Sequence, residues 1–222
     1  MGLDADQLQA ALDELARREP AFARALAAAG YPEPRTSERG YLTLLRTIIG
    51  QQVSIKAAAA LWSKLLGEVG EPSPENILAA SDEQLRAAGL SRQKAAYARS
   101  LAEEVRSGRL DLDDLAEADE AAIAQLVAVK GIGRWSAEVY LLFAEGRPDI
   151  WPAGDLAVQI AIGRILALPE KPSERRVREL AEGWSPHRGA AAIFAWHHYK
   201  IPDPLRIRPR PAGTRLTQDV PK

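Results

Sequence analysis

Two short stretches hold residue types that could do chemistry. The first is AVKGIGRWSAEVY, Ala128 to Tyr140, in which Gly131 and Gly133 interrupt an apolar helical pattern. Ile123, Leu126 and Val127 lead into it, and Val139, Leu142 and Phe143 lead out. Each glycine costs a helix about 1 kcal/mol relative to alanine, so the pair marks a break: helix, K-G-I-G, helix. Glycine permits positive φ and lets another backbone come close. The amides of Gly131, Ile132 and Gly133 would then lie at the start of the next helix without carbonyl partners, a site for an anion such as a phosphate oxygen. Ile132, between the glycines, can point into the core and pin the turn. An ordinary corner between two helices, which also favours glycine, is the plainer alternative. The second stretch is WPAGD, Trp151 to Asp155, just before LAVQIAIGRILAL. Asp155 suits the N-cap of that helix.

The elements that position these residues read as helices throughout. The chain has 222 residues, 46 % of them hydrophobic, enough for one large domain or two lobes around a cleft. Asp4 can cap a helix over 5–18, and Pro20 opens a second that Gly30 closes. A longer apolar helix is expected over 38–49, and one after Ser54. Ser81 with Gln84 forms a capping box. Further helices are expected after Ser91, over 118–127, after Asp155, after Ser173, and from Ser185-Pro186 to Tyr199. No segment alternates as a strand should.

Cysteine is absent, which excludes a disulfide framework, a thiolate zinc site and a cysteine-ligated iron–sulfur cluster, and is compatible with the cytosol. No apolar run reaches the roughly 20 residues of a membrane span, and the N-terminus lacks the pattern of a signal peptide. The net charge of −1 announces no basic binder. Residues 101–129 hold eight acids against Arg106 and Arg109, so the rest of the chain balances at +5. That acidic block reads as a solvated helical face.

Four ordered stretches together resemble the alkylated-base branch of the helix–hairpin–helix (HhH-GPD) DNA glycosylases, the 3-methyladenine DNA glycosylase II type. They are IIGQQVSIKAAAALWSKL, VKGIGRWSAEVYLLFA, WPAGDLAVQ and WSPHRGAAAIFAWHHY, within residues 48–199. The resemblance does not include the extra N-terminal α/β domain of larger members. It implies an all-α protein of two helical lobes with a lesion cleft between them. One lobe would be residues 38–146, with the hairpin. The other would join residues 1–37 to 147–200, with an extended Pro/Arg-rich tail over 201–222.

The resemblance also implies roles. Asp155 falls at the catalytic aspartate's place, twenty residues after Trp135. Bifunctional relatives hold a lysine nucleophile where this chain has Trp135, which implies a monofunctional enzyme without lyase activity. Trp135, with Val139 one turn on and His187 after Pro186, would line the base pocket; an indole face attracts a cationic base as well as stacking on it. Gly131, Ile132, Gly133, Arg134 and Ser136 would hold a DNA phosphate. Gln52, with Gln51 before it, would fill the gap left by the flipped base. The carbonyls of Val127, Val129 and Gly131 are the family's place for a structural Na+ or K+; no other cofactor is implied. The implied partner is double-stranded DNA containing alkylated bases, met by a monomer in a bacterial-type, nucleoid-associated cytoplasmic setting with no membrane. The rival readings are a non-catalytic helix–hairpin–helix DNA-binding module and a glycosylase for oxidised or mispaired bases. The module has no use for an acid beside the DNA backbone.

Overall fold

The structure is a computed structural model and describes residues 2–201. Helix α1, Ala5–Arg18, begins on the Asp4–Gln7 capping box and buries Leu8, Ala11, Leu12 and Leu15 along one stripe. Glu19 ends it and caps α2, Pro20–Ala29, which buries Ala21, Phe22, Ala25 and Leu26. After a loop come α3, Tyr41–Gly50; α4, Ile55–Val69; α5, Pro74–Ala79; α6, Asp82–Ala87; and α7, Arg92–Arg106. Helices α8, Asp119–Val127, and α9, Arg134–Phe143, flank the K-G-I-G turn. The C-terminal part holds α10, Leu156–Ile165; α11, Glu174–Leu180, continued by a 3-10 turn over Ala181–Trp184; and α12, Arg188–Tyr199. No strand occurs among the described residues.

Packing sorts the helices into two groups. Helix α3 lies against α4, α7 and α9, and α5 lies against α7. Helices α1 and α2 pack on α12, and α2 also on α10. The N-terminal helices therefore share a core with the C-terminal ones, far along the chain. Phe22, fully buried, meets Trp184 edge-on at 5.1 Å and Phe194 at 6.0 Å, and Trp151 also meets Trp184 edge-on at 5.5 Å. The loop after α9 is tied to the start of α12: Arg188 donates twice to Asp149, at 2.9 and 2.6 Å, and Gly189 N donates to Pro148 O.

Several boundaries differ from the sequence expectation. Helix α3 starts at Tyr41 rather than near 38, because Gly40 takes φ +101° and interrupts the chain there. Helix α5 was not expected; Ser73 caps it and Pro74 opens it, but six residues are too few for a periodic signal. Helix α12 starts at Arg188, not at Ser185-Pro186. Ser185 serves instead as a donor to Asp149, at 2.8 Å. The acidic block is also less free than a solvated face: Glu103, Glu104, Asp119 and Glu120 pair with Arg106, Arg109, Arg147 and Arg134. The tail expected over 201–222 lies, beyond Ile201, outside the described residues.

Phe22→Ala is expected to cost about 3–5 kcal/mol of stability, as removal of a fully buried aromatic ring does. Urea unfolding followed by far-UV circular dichroism should show one transition, shifted to lower urea. Separate melting of the N-terminal helices would contradict the shared core.

Candidate active site

The hairpin treats its two glycines differently. Gly131 adopts φ +92°, and a Cβ there would overlap the Tyr97 ring. Both conformation and space require glycine. Gly133 has φ −87°, and a Cβ there would meet nothing within 4 Å. No contact within the described residues explains its missing side chain. It is the N-cap of α9 and offers no side-chain bond to the first turn. The amides of Gly133, Arg134, Trp135 and Ser136 therefore have no carbonyl partner among the described residues, with the positive end of the helix dipole behind them. Ile132 corrects the sequence reading in part. Its side chain is buried as expected, but its amide donates to Val129 O at 3.1 Å. The amides without a carbonyl partner among the described residues therefore begin at Gly133 and the first turn of α9, not at Ile132.

Asp155 caps α10, as its position suggests: one carboxylate oxygen accepts from Val158 N at 2.9 Å. The other accepts from the indole Nε1 of Trp135 at 2.7 Å. The residue stands on a tight turn, with Asp155 N donating to Pro152 O and Ala153 N to Trp151 O. Buried Gln159 braces that turn, donating to Ala153 O and accepting from Lys171 Nζ, both at 2.9 Å. Both carboxylate oxygens are thus oriented by neutral donors, and no ion pair to Asp155 occurs among the described residues. Trp135 is 47 % exposed and Leu156, directly after Asp155, is 59 % exposed. Two large apolar side chains are therefore open to solvent, one bonded to this half-buried carboxylate and one next to it in the chain. That arrangement suits a flat, electron-poor ring. Val139, half-buried one turn after Trp135, lies on the same face of α9. Leu156 is a site candidate the sequence reading missed. The available signal was an apolar residue in the first position of a helix behind a candidate acid.

Residues 45–187 match the family described as the HhH-GPD superfamily of base excision DNA repair proteins. The chain belongs to this superfamily. Its sequence is 35 % identical over 176 residues to DNA-3-methyladenine glycosylase 1 of Schizosaccharomyces pombe, covering 77 % of each chain. Its fold is similar to the crystal structure of a DNA-3-methyladenine glycosidase from Bacillus halodurans, with a TM-score of 0.77 and 30 % identity over 86 % of this chain and 89 % of that one. It is also similar to the S. pombe 3-methyladenine DNA glycosylase in complex with abasic DNA, with a TM-score of 0.72 and 31 % identity over 84 % and 94 % of the two chains.

As an HhH-GPD protein the chain assigns some of its expected site residues differently. Gln51 donates its amide to Gly131 O at 2.7 Å, so it braces the hairpin instead of standing free beside Gln52. Gln52 is exposed, at φ +57°, in the loop before α4. The guanidinium of Arg134 is bound by Glu120, at 2.9 and 2.5 Å, and by Glu138, at 2.9 Å. Burial pushes the Glu138 carboxyl up, while Arg134 and Arg178 pull it down. Ser136 is buried. Ser136 thus has only its backbone amide to give an anion, while three of the five N–H groups of Arg134 are already held by carboxylates. His187 lines a different cavity, of about 440 Å3, with Leu3, Glu14 and Arg18 among its walls. It shares no hydrogen bond with Trp135 or Asp155 among the described residues. Of the three carbonyls expected to hold a monovalent cation, Val129 O accepts from Ile132 N and Gly131 O from Gln51. A cation there would use their second lone pairs.

The two glycines should separate by experiment. Gly133→Ala is expected to leave the melting temperature near parental and to weaken binding to undamaged duplexes about tenfold or more, equally for all sequences, as lost charge-assisted bonds do. Gly131→Ala is expected to cost about 1–3 kcal/mol of stability, because strain and overlap act inside the fold. Fluorescence anisotropy and thermal melting of both variants check this. A Gly133→Ala protein that folds and binds like the parent would contradict the anion site.

Proposed function

We propose that this chain is a monofunctional DNA glycosylase. It flips alkylated bases such as 3-methyladenine and 7-methylguanine out of double-stranded DNA and hydrolyses their N-glycosidic bonds, initiating base excision repair. The observation that carries this reading is the carboxylate of Asp155, oriented by Val158 N and Trp135 Nε1 at the edge of an exposed indole. The names of the related proteins support the choice of alkylated bases.

The chemistry needs only one carboxylate. Most glycoside hydrolysis requires a second, protonated acid for the leaving group. A purine alkylated at N3 or N7 already carries positive charge and departs neutral. What remains at the sugar is cationic, and the Asp155 anion stabilises it and orients the attacking water. Water forms the new bond at the sugar carbon, its proton goes to solvent, and the products are the free base and an abasic site. Trp135 binds the cationic base through its ring face while its N–H fixes the carboxylate. No lysine occupies the position of Trp135, so no Schiff base forms and the strand is left uncut. The protein acts as a monomer on duplex DNA within the cell. No helix among the described residues is long and apolar enough to cross a membrane. The carboxylate also argues against a non-catalytic binding module. Near phosphates it repels, and as a cap alone it would have no need of a second donor.

Incubation with a panel of single-lesion duplexes tests the reading. Free 3-methyladenine or 7-methylguanine should appear, with strand breaks only after alkali. Borohydride should trap no covalent complex. A trapped complex would show an amine nucleophile, and no released base from any alkylated duplex would leave the binding module.

A further inference from the structure

The polar groups beside Asp155 form a closed circuit through α9 and α11. Trp135 and Glu138 stand one turn apart on α9. Trp135 reaches Asp155 through its indole, at 2.7 Å. Glu138 reaches Arg178 of α11, at 3.6 Å. Helix α11 in turn holds the WPAGD turn that carries Asp155. Trp151 Nε1 donates to Val177 O at 3.3 Å, and a Cβ at Gly154 would meet the Glu174 carboxylate at 3.5 Å. We infer that Glu138 and Arg178 are positioning residues, which fix the Asp155 turn against α9 at the separation the Trp135 bond requires. The consequence for the reaction rate rests on the glycosylase reading above; the consequence for the free protein does not.

Helix packing alone does not supply this separation. Helix α9 packs on α8 and α3, and α11 on α10, but α9 packs broadly on neither α10 nor α11 among the described residues. Side chains must bridge the gap. One bridge is the indole bond. A single bond holds a distance but leaves its two partners free to pivot about it. A second tie, one turn further along the same helix, removes that freedom. Glu138 is placed to make it, since residues three apart on a helix are neighbours on its surface.

The chemistry of the tie suits positioning better than stabilisation. Glu138 is 2 % exposed, and a buried carboxylate needs a partner. Arg134, from the same helix, already gives it one at 2.9 Å. Arg178 adds a second cation, and this one crosses between helices. Its guanidinium is itself held in place, because Nε and Nη2 both donate to Glu174 Oε1, at 3.2 and 2.8 Å. Nη2 thus stands between the carboxylates of Glu174 and Glu138. An apolar pair of the same volume would hold two helices together about as firmly. It would not fix their angle, because apolar contact is non-directional and a planar guanidinium fork is not. The loop before α11 belongs to the same frame: Lys171 bonds Gln159, whose amide holds Ala153 O two residues before Asp155. Helix α11 and its approach therefore carry the Asp155 turn, and Arg178 joins that assembly to the helix of Trp135.

The test observes Trp135 directly, in the full chain. Each tryptophan gives one indole N–H signal in a proton–nitrogen correlation spectrum. The Trp135 signal is the one lost in Trp135→Phe, and Asp155→Ala shows where it falls without its acceptor. Arg178 is partly exposed, so Arg178→Met should fold. It is expected to move the Trp135 signal toward its Asp155→Ala position. Single-turnover excision of 7-methylguanine should slow about tenfold, since small misplacements of catalytic groups are costly. Affinity for an abasic duplex should change less than about twofold, because backbone contacts to phosphate lie elsewhere. Glu138→Gln keeps the shape, removes the charge and should act in the same direction; Arg178→Lys should restore part of both readouts. Arg176→Met, which breaks an exposed pair with Glu179 on the same helix, should change neither. A merely structural ion pair would lower the melting temperature and leave the Trp135 signal in place. That result in Arg178→Met, or a moved signal with excision within about twofold of the parent, would overturn the inference. A parent that excises nothing would overturn the glycosylase reading, while the Trp135 signal would still decide whether Arg178 positions the indole bond.

Discussion

The candidate site depends on one hydrogen bond, from the indole of Trp135 to Asp155 at 2.7 Å. Its partners come from different groups of helices. Trp135 stands in the first turn of α9, which Tyr140, Leu141, Leu142 and Phe143 anchor by burial. Asp155 stands before α10, anchored by Val158, Ala161 and Ile162. The distance between them is therefore set by how the two groups pack, and the shared core of α1, α2, α10 and α12 sets part of that packing. The bond also leaves the carboxylate without a free rotor: the helix cap holds one oxygen and the indole the other. An anion fixed before a reaction begins needs no reorganisation when positive charge develops, and this is the main source of electrostatic catalysis.

Charge is used sparingly where DNA is proposed to bind. The chain carries a net charge of −1, and Arg134, which follows the hairpin, is bound to Glu120 and Glu138, while exposed Lys130 precedes its two glycines. The ion pairs brace α8, α9 and α11 against one another. Beside Lys130 the hairpin offers a row of backbone amides, and the proposed phosphate contact would use their geometry and the helix dipole. Such a site is indifferent to sequence, as suits a protein that must inspect many base pairs.

Much of this was legible in the sequence, for local reasons. Caps at Asp4, Ser54, Ser81, Ser91 and Ser173 mark helix starts directly, and the two glycines mark the hairpin. Asp155 was readable as a cap from its place before an apolar helix; only the resemblance to known glycosylases added a catalytic role. The sequence could not separate Gly131 from Gly133, because the difference lies in the Tyr97 ring, distant in the chain. Gln51 and Gln52 are adjacent and chemically identical, yet one is bound to Gly131 O and the other is exposed. Arg134 looked like a phosphate ligand because its acidic partners sit fourteen residues before it and four after. The bond between Trp135 and Asp155 spans twenty residues, and no local rule predicts it.

The central claim is that Asp155 acts on the substrate and does not only cap α10. Asp155→Asn tests it most directly. Asparagine caps a helix about as well as aspartate, but it has one oxygen where the carboxylate uses two. The substitution should therefore cost about 1 kcal/mol of stability for one lost hydrogen bond. Excision of 3-methyladenine, measured in single turnover at saturating enzyme, should fall by at least roughly 10²–10³. Affinity for an abasic duplex should be retained or improved, since a negative charge near phosphates is gone. A folded variant that binds the abasic duplex and still excises within about threefold of the parent would contradict the account, because Asp155 would then be only a cap.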